Sequence, residues 1–139
     1  MKNNERYGGK VMKIVITGAN GQLGKELQKI IRMGKAEIGE ISKSVASSEV
    51  FAADVDVLDI TKLDNVRAYL NDIKPDVVIN CAAFTNVDGC EANQDLAFKI
   101  NSLGPRNLAM VCEEIGAKIV QVSTDYVFSG VGETPLKES

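Results

Sequence analysis

Four short apolar runs divide the chain, and the segments between them repeat their apolar residues at helical spacing. Lys13–Thr17 (KIVIT) reads as a first strand. Leu23, Leu27, Ile30 and Ile31 then recur as one helix face, predicting a helix to about Met33. Residues 34–49 are rich in Gly, Ser and Lys without a period and read as a long loop or a frayed helix end. VFAAD at 50–54 predicts a second strand. Thr61 is placed to cap a helix over 62–72, with Leu63, Val66 and Leu70 turned inward. Pro75-Asp76 turns the chain into Val77–Asn80, whose unbroken VVI suits a strand buried on both faces. Leu96, Ile100, Leu103, Leu108, Val111 and Ile115 predict one long helix over 91–115, closed by Gly116. KIVQVS at 118–123 is the fourth predicted strand.

The order β-α-β-α-β-α-β implies right-handed crossovers and a Rossmann-like, doubly wound parallel α/β sheet. The common dinucleotide-fold order 3-2-1-4 is expected, with the fourth strand at an edge. Residues 1–12 are polar, carry Gly8-Gly9 and read as a tail; 13–130 form the partial domain; 129–139 have Gly, Pro and charge but no element, and 131–139 read as the start of a further C-terminal segment.

Composition narrows the function. The 139 residues suit one domain, and a net charge of -3 gives no basic footprint for nucleic acid. The chain has no histidine, which removes His-based general-base chemistry and most zinc sites, so no metal is expected. Cys81, Cys90 and Cys112 make no C-x-x-C pair or even disulfide set and fit a reducing cytoplasm. No apolar run is long enough for a membrane helix, and the N-terminus has no signal core.

The strongest chemical signal is Thr17-Gly18-Ala19-Asn20-Gly21-Gln22-Leu23-Gly24, at a strand-to-helix junction. Gly18 would permit the turn, Gly21 the approach of a pyrophosphate, and Gly24 close packing, with the helix N-terminus facing the anion. The spacing is G-x-x-G-x-x-G. An acidic residue ending the second strand would meet the adenosine ribose. Asp54 is the first candidate and Asp56 the rival; either could instead be a solvated strand end. Asp59, before Ile60, could serve the adenine or act as a turn residue. Beyond the third strand, Cys81-Ala82-Ala83-Phe84-Thr85 has small residues that suit a flat cofactor or helix–sheet packing. Beyond the fourth, Ser123-Thr124-Asp125-Tyr126 could hold a substrate oxygen or form a turn.

TGANGQLG, DVLDIT, KPDVVINCAAFTNVDGCE, INSLGPRNLA and IVQVSTDYVFSG follow one another in an order that resembles the dTDP-4-dehydrorhamnose reductase family of extended short-chain dehydrogenases. The resemblance spans about residues 12–130. It implies reduction of the 4-keto group of dTDP-4-dehydro-L-rhamnose by NADPH or NADH. It assigns Gly18, Asn20, Gly21, Gln22, Leu23, Gly24, Asp59 and Ile60 to the ADP half of the cofactor, with Asp54 near the ribose. Cys81, Ala82 and Ala83 would line the inner ribose, and Val122 and Ser123 lie on the cofactor side. Thr85, Val87, Asp125 and Tyr126 would border the sugar. Thr124 matches the catalytic hydroxyl. Asn101 matches the helix asparagine whose carbonyl, freed by Pro105, could hold a water.

The family's proton donor is the tyrosine of a Tyr-x-x-x-Lys pair, and this chain has none: four residues after Tyr7, Tyr69 and Tyr126 stand Val11, Ile73 and Gly130. The sequence therefore reads as the N-terminal half of a reductase, carrying the dinucleotide-binding half and inactive alone. The alternatives are a non-catalytic nucleotide-binding or regulatory module, or another sugar-nucleotide reductase or epimerase of the superfamily. Partners are expected to be a dTDP-sugar and a second copy, through the open edge of the fourth strand, with no nucleic acid and no membrane.

Overall fold

The computed structural model describes residues 10–124. In chain order the elements are β1 (Lys13–Thr17), α1 (Gln22–Met33), β2 (Lys35–Ala36), β3 (Gly39–Glu40), α2 (Lys43–Ala46), β4 (Glu49–Ala53), α3 (Leu63–Ile73), β5 (Val77–Asn80), α4 (Val87–Ala92), α5 (Gln94–Phe98), a π-helical turn (Lys99–Leu103), α6 (Gly104–Ile115) and β6 (Lys118–Gln121). β1, β4, β5 and β6 form one parallel sheet, and β2 and β3 a two-stranded antiparallel hairpin.

The α/β parallel architecture agrees with the pattern, but the strand order does not. The sheet runs β4-β1-β5-β6, which in chain order of the parallel strands is 2-1-3-4 rather than 3-2-1-4. The chain steps from β1 to β4 in one direction, then crosses back over β1 to β5. Right-handed crossovers then place α1 on one face and both α3 and α6 on the other. The core divides accordingly. Ile14 and Ile16 of β1 pack with Ile31 and Leu27 of α1. Val15 of β1 and Val78 of β5 pack with Val66 and Leu70 of α3 and Leu108 and Val111 of α6. This alternation is the period-two consequence of the pleat. Arg67 of α3 and Glu114 of α6 pair at 2.9 and 3.0 Å, as two helices on one face require.

Several boundaries shift for local reasons. The 34–49 loop contains the β2–β3 hairpin and α2, the latter capped by the Ser42 hydroxyl, which accepts the Val45 N–H. Thr61 does not cap α3. Its hydroxyl donates to Asp59 at 2.6 Å, and Lys62 occupies the N-cap with no side-chain bond. The single helix over 91–115 is interrupted at Asn93, which ends α4, and again by the π-helical turn before Pro105, which enters the first turn of α6 and has no N–H to donate. The predicted fourth strand ends at Gln121, two residues early. Leu23, read with the inward face of the first helix, is 42% exposed. No helix among the described residues is long and apolar enough to cross a membrane.

Candidate functional site

The C-terminal ends of the four parallel strands carry the candidate residues. β1 leads into the glycine loop, where Gly18 has φ +59 and Gly21 caps α1. A Cβ on Gly18 would lie 2.7 Å from backbone atoms of Ala82. A Cβ on Gly24 would lie 2.4 Å from the Gly18 carbonyl oxygen. Both glycines are thus required by the protein itself: Gly18 by the β5 exit as well as its turn, Gly24 by the loop backbone. Gly21 differs. A Cβ there meets only the Gly18 oxygen, at 3.2 Å, a tight contact that asks the loop backbone to give by a few tenths of an ångström.

A helix leaves its first N–H groups without intrahelical partners. At α1 these belong to Gln22, Leu23 and Gly24; its N-cap offers no side-chain hydrogen bond and its first turn no acidic residue. By contrast, Asn86 caps α4 through the Gly89 N–H at 2.9 Å. The positive end of the α1 dipole is therefore not neutralised from within its first turn.

Asp54 follows β4, and both carboxylate oxygens are engaged. Oδ2 accepts the Asn20 N–H at 2.9 Å and Oδ1 accepts the Val55 N–H at 2.8 Å. Ala19 N–H reaches the Ala53 carbonyl at 3.1 Å, so two bonds fasten the glycine loop to the β4 exit. The rival Asp56 is exposed. Asp59 behaves as a turn residue. Its carboxylate takes the Thr61 hydroxyl and N–H and pairs with Lys62 at 2.9 Å. The Thr61 hydroxyl bond is the main reason its pKa falls below the usual carboxylate value, with Lys62 adding to the effect. Ile60 is buried, its side chain filling the space left by the missing Cβ of Gly104, and its carbonyl accepts from Asn107 at 3.0 Å.

Past β5, Cys81 and Ala82 are partly buried and Ala83 is exposed; burial raises the Cys81 thiol pKa. Asn101 lies in the π-helical turn and grips the backbone of Phe84. Its Oδ1 accepts the Phe84 N–H at 2.8 Å and its Nδ2 donates to the Phe84 carbonyl at 3.0 Å. Thr85 next to it is exposed, and Val87 opens α4. Past β6, Val122, Ser123 and Thr124 are exposed, while Asp125 and Tyr126 lie outside the described residues. The structure thus gathers the glycine loop, Asp54, the 81–85 segment, Asn101 and the 122–124 segment at the C-terminal end of the sheet.

Sequence reasoning missed the row beneath that end of the sheet. Thr17, Asn80 and Gln121 are the last residues of β1, β5 and β6, in register. Thr17 and Asn80 are buried, and their side chains hydrogen-bond to each other. A polar residue closing each of three apolar runs was the available signal.

Residues 12–139 match the family described as the RmlD substrate binding domain. A dTDP-4-dehydrorhamnose reductase of Streptomyces griseus is 39% identical over 124 residues, which make up 89% of this chain and 37% of that protein. The crystal structure of a dTDP-4-dehydrorhamnose reductase from Clostridium acetobutylicum is 51% identical, with a TM-score of 0.79 over 91% of this chain and 41% of that one. The Bacillus anthracis reductase, solved in complex with NADP, is 41% identical, with a TM-score of 0.73 over 86% of this chain and 38% of that one. The chain therefore spans well under half of the length of these relatives. By the extent of its match, it belongs to the RmlD substrate binding domain family.

Proposed function

We propose that this chain carries the dinucleotide-binding half of an NAD(P)H-dependent reductase that acts on the 4-keto group of a dTDP-sugar, dTDP-4-dehydro-L-rhamnose being the first choice. Gly21 carries the reading. The fold itself demands Gly18 and Gly24, whereas a Cβ on Gly21 meets a single protein atom, the Gly18 carbonyl oxygen at 3.2 Å, and otherwise faces what approaches from outside. A pyrophosphate there would meet the first N–H groups of α1, which has no acid in its first turn. The NADP complex of the Bacillus anthracis relative supports the same cofactor class.

In this reading Gly18, Asn20, Gly21, Gln22, Leu23 and Gly24 hold the pyrophosphate side, and Asp54 and Ile60 border the adenosine. Asp59 acts there through the turn it builds. Cys81, Ala82, Ala83, Val122 and Ser123 flank the inner ribose, with Asn101 fixing the 81–85 segment through Phe84. Thr85, Val87, Asp125 and Tyr126 border the sugar, and Thr124 donates a hydrogen bond to the reacting carbonyl. The bound nicotinamide supplies the hydride. The 139 residues contain no Tyr-x-x-x-Lys pair, so the chain by itself binds cofactor without reducing sugar. Its thiols suit the cytoplasm, and it associates with a second copy through β6.

Titration with NADH and NADPH tests the reading. Saturable binding is expected, and Gly21→Val abolishes it while the thermal midpoint stays near that of the parent. Equal binding by the variant removes the basis of the proposal. Sustained NADPH oxidation with dTDP-4-dehydro-L-rhamnose by homogeneous 139-residue protein overturns the non-catalytic part alone.

A further inference from the structure

Burying a polar side chain in a sheet is unfavourable unless its hydrogen bonds are completed. The row on the α3/α6 face just below the strand ends changes abruptly from Val15, Val78 and Ile119 to Thr17, Asn80 and Gln121. Thr17 and Asn80 are each 1% exposed, and no buried side-chain polar atom among the described residues lacks a partner. The polar row is thus fully satisfied, and its bonds run in one direction. The Thr17 hydroxyl donates to Asn80 Oδ1. Asn80 Nδ2 donates to Gln121 Oε1 at 2.8 Å, and Gln121 Nε2 donates to the Val122 carbonyl at 2.6 Å.

Asn80 also controls the exit of its own strand. Its Oδ1 accepts the Ala82 N–H at 3.2 Å. The ladder bonds at this level are long: Cys81 N–H to the Thr17 carbonyl at 3.3 Å and Val122 N–H to the Asn80 carbonyl at 3.4 Å. Between β5 and β6 the side-chain bond, at 2.8 Å, is thus shorter than the ladder bond where the two segments leave the sheet.

We infer that Gln121 is a positioning residue. Through Asn80 it fixes the separation of the 81–83 and 122–124 segments, and so the width of the cleft between them where the nicotinamide half of the cofactor would lie. This rests on the dinucleotide reading above. Gln121 is itself exposed, so its loss leaves the core packed and water can reach the vacated position. The adenine half would lie by Asp54, past β4 at the opposite edge of the sheet from β6, and Asp54 shares no hydrogen bond with Asn80 or Gln121.

The test compares the 139-residue protein with its Gln121→Met variant, using NADH and ADP as probes. NADH affinity is expected to fall about three- to tenfold, the effect of one or two lost hydrogen bonds, while ADP affinity changes less than about twofold. Equal weakening of both probes, or no change in either, overturns the inference. If the parent protein binds neither probe, the dinucleotide reading fails, and amide hydrogen exchange in the free protein still decides the positioning role. Exchange at Ala82 and Val122 is expected to be at least about tenfold faster in the variant, with Val15 and Ile16 unchanged as a control on the core. Exchange at Ala82 and Val122 that stays within about twofold of the parent refutes that role.

Discussion

Asp54 Oδ2 accepts the backbone N–H of Asn20 at 2.9 Å, so the carboxylate just past β4 holds the glycine loop that follows β1. The same side chain steadies its own turn through Val55 at 2.8 Å. Asp54→Ala removes both bonds and is expected to lower stability by about 1–2 kcal/mol. Asp54→Asn keeps one acceptor and recovers part of that loss. Its missing charge also shifts preference toward the phosphorylated dinucleotide, because a carboxylate repels a 2′-phosphate. Urea denaturation and paired NADH and NADPH titrations measure the two effects. An unchanged urea midpoint for Asp54→Ala shows that the clasp contributes nothing.

The three loop glycines separate by the same reasoning. Gly18→Ala and Gly24→Ala push a Cβ against backbone atoms at 2.7 and 2.4 Å, where no side-chain rotation relieves the overlap. Each is expected to destabilise by about 2–4 kcal/mol, the range of severe core and backbone substitutions. Gly21→Ala, with one contact at 3.2 Å, should cost less than about 1 kcal/mol. Thermal or chemical denaturation of the three variants gives the order directly. Equal losses at all three positions contradict the division between glycines the fold requires and the one it does not.

Much of this arrangement was legible in the chain, for identifiable reasons. The runs KIVIT and VVIN are too short and too continuous in apolar character for surface helices, and they form buried strands. The glycine loop stood out because its spacing coincides with a strand-to-helix junction. Strand order was not legible. Right-handedness fixes the face of a helix once the direction of a crossover is known, but apolar periodicity is blind to direction. The Arg67–Glu114 pair, which shows α3 and α6 side by side, joins residues 47 positions apart. Asn101 had a similar limit. The sequence drew attention to its carbonyl through Pro105, whereas both ends of its side-chain amide are committed to Phe84, 17 residues earlier. Thr61 misled because a hydroxyl before a helix can bind either the helix or a nearby carboxylate, and Asp59 captured it.

Cys112 predicts an alkaline limb of stability. It is 1% exposed within the α3/α6 core, and burial raises its thiol pKa to about 11 from an ordinary value of 9.0. Burial also raises Tyr69. A raised folded-state pKa favours the neutral group, so its full contribution is present below pH 9 and is lost as pH climbs toward 11. The loss is expected to be of order 1–3 kcal/mol. Cys112→Ala should start less stable, because it leaves a small cavity, but its stability should fall less between pH 9 and 11. Parallel slopes for parent and variant across that window assign the limb to other groups. At pH 8, a disulfide reagent should label Cys90 in the native protein and reach Cys112 only on unfolding.

The last prediction concerns association. Among the described residues β6 pairs with β5 alone, leaving the other side of its backbone open. Ile119 packs into the α3/α6 core, but Val120 stands on the opposite face, where it is 50% exposed, and Val122 is 45% exposed. α1 packs over Ile14 and Ile16 on that face, and its cluster extends to Ile79 of β5 without reaching Val120. An open backbone edge beside the β-branched Val120 offers another chain a strand to pair with. The protein is therefore expected to form dimers or larger species at tens of micromolar, detectable by light scattering. Val120→Lys places a charge on this strand without touching the core and should shift the population toward a 15.0 kDa monomer. A monomeric parent over the same concentration range refutes association. An oligomer that persists unchanged in Val120→Lys places the contact elsewhere, and the exposed Leu96 and Phe98 of α5 would be the next surface to alter.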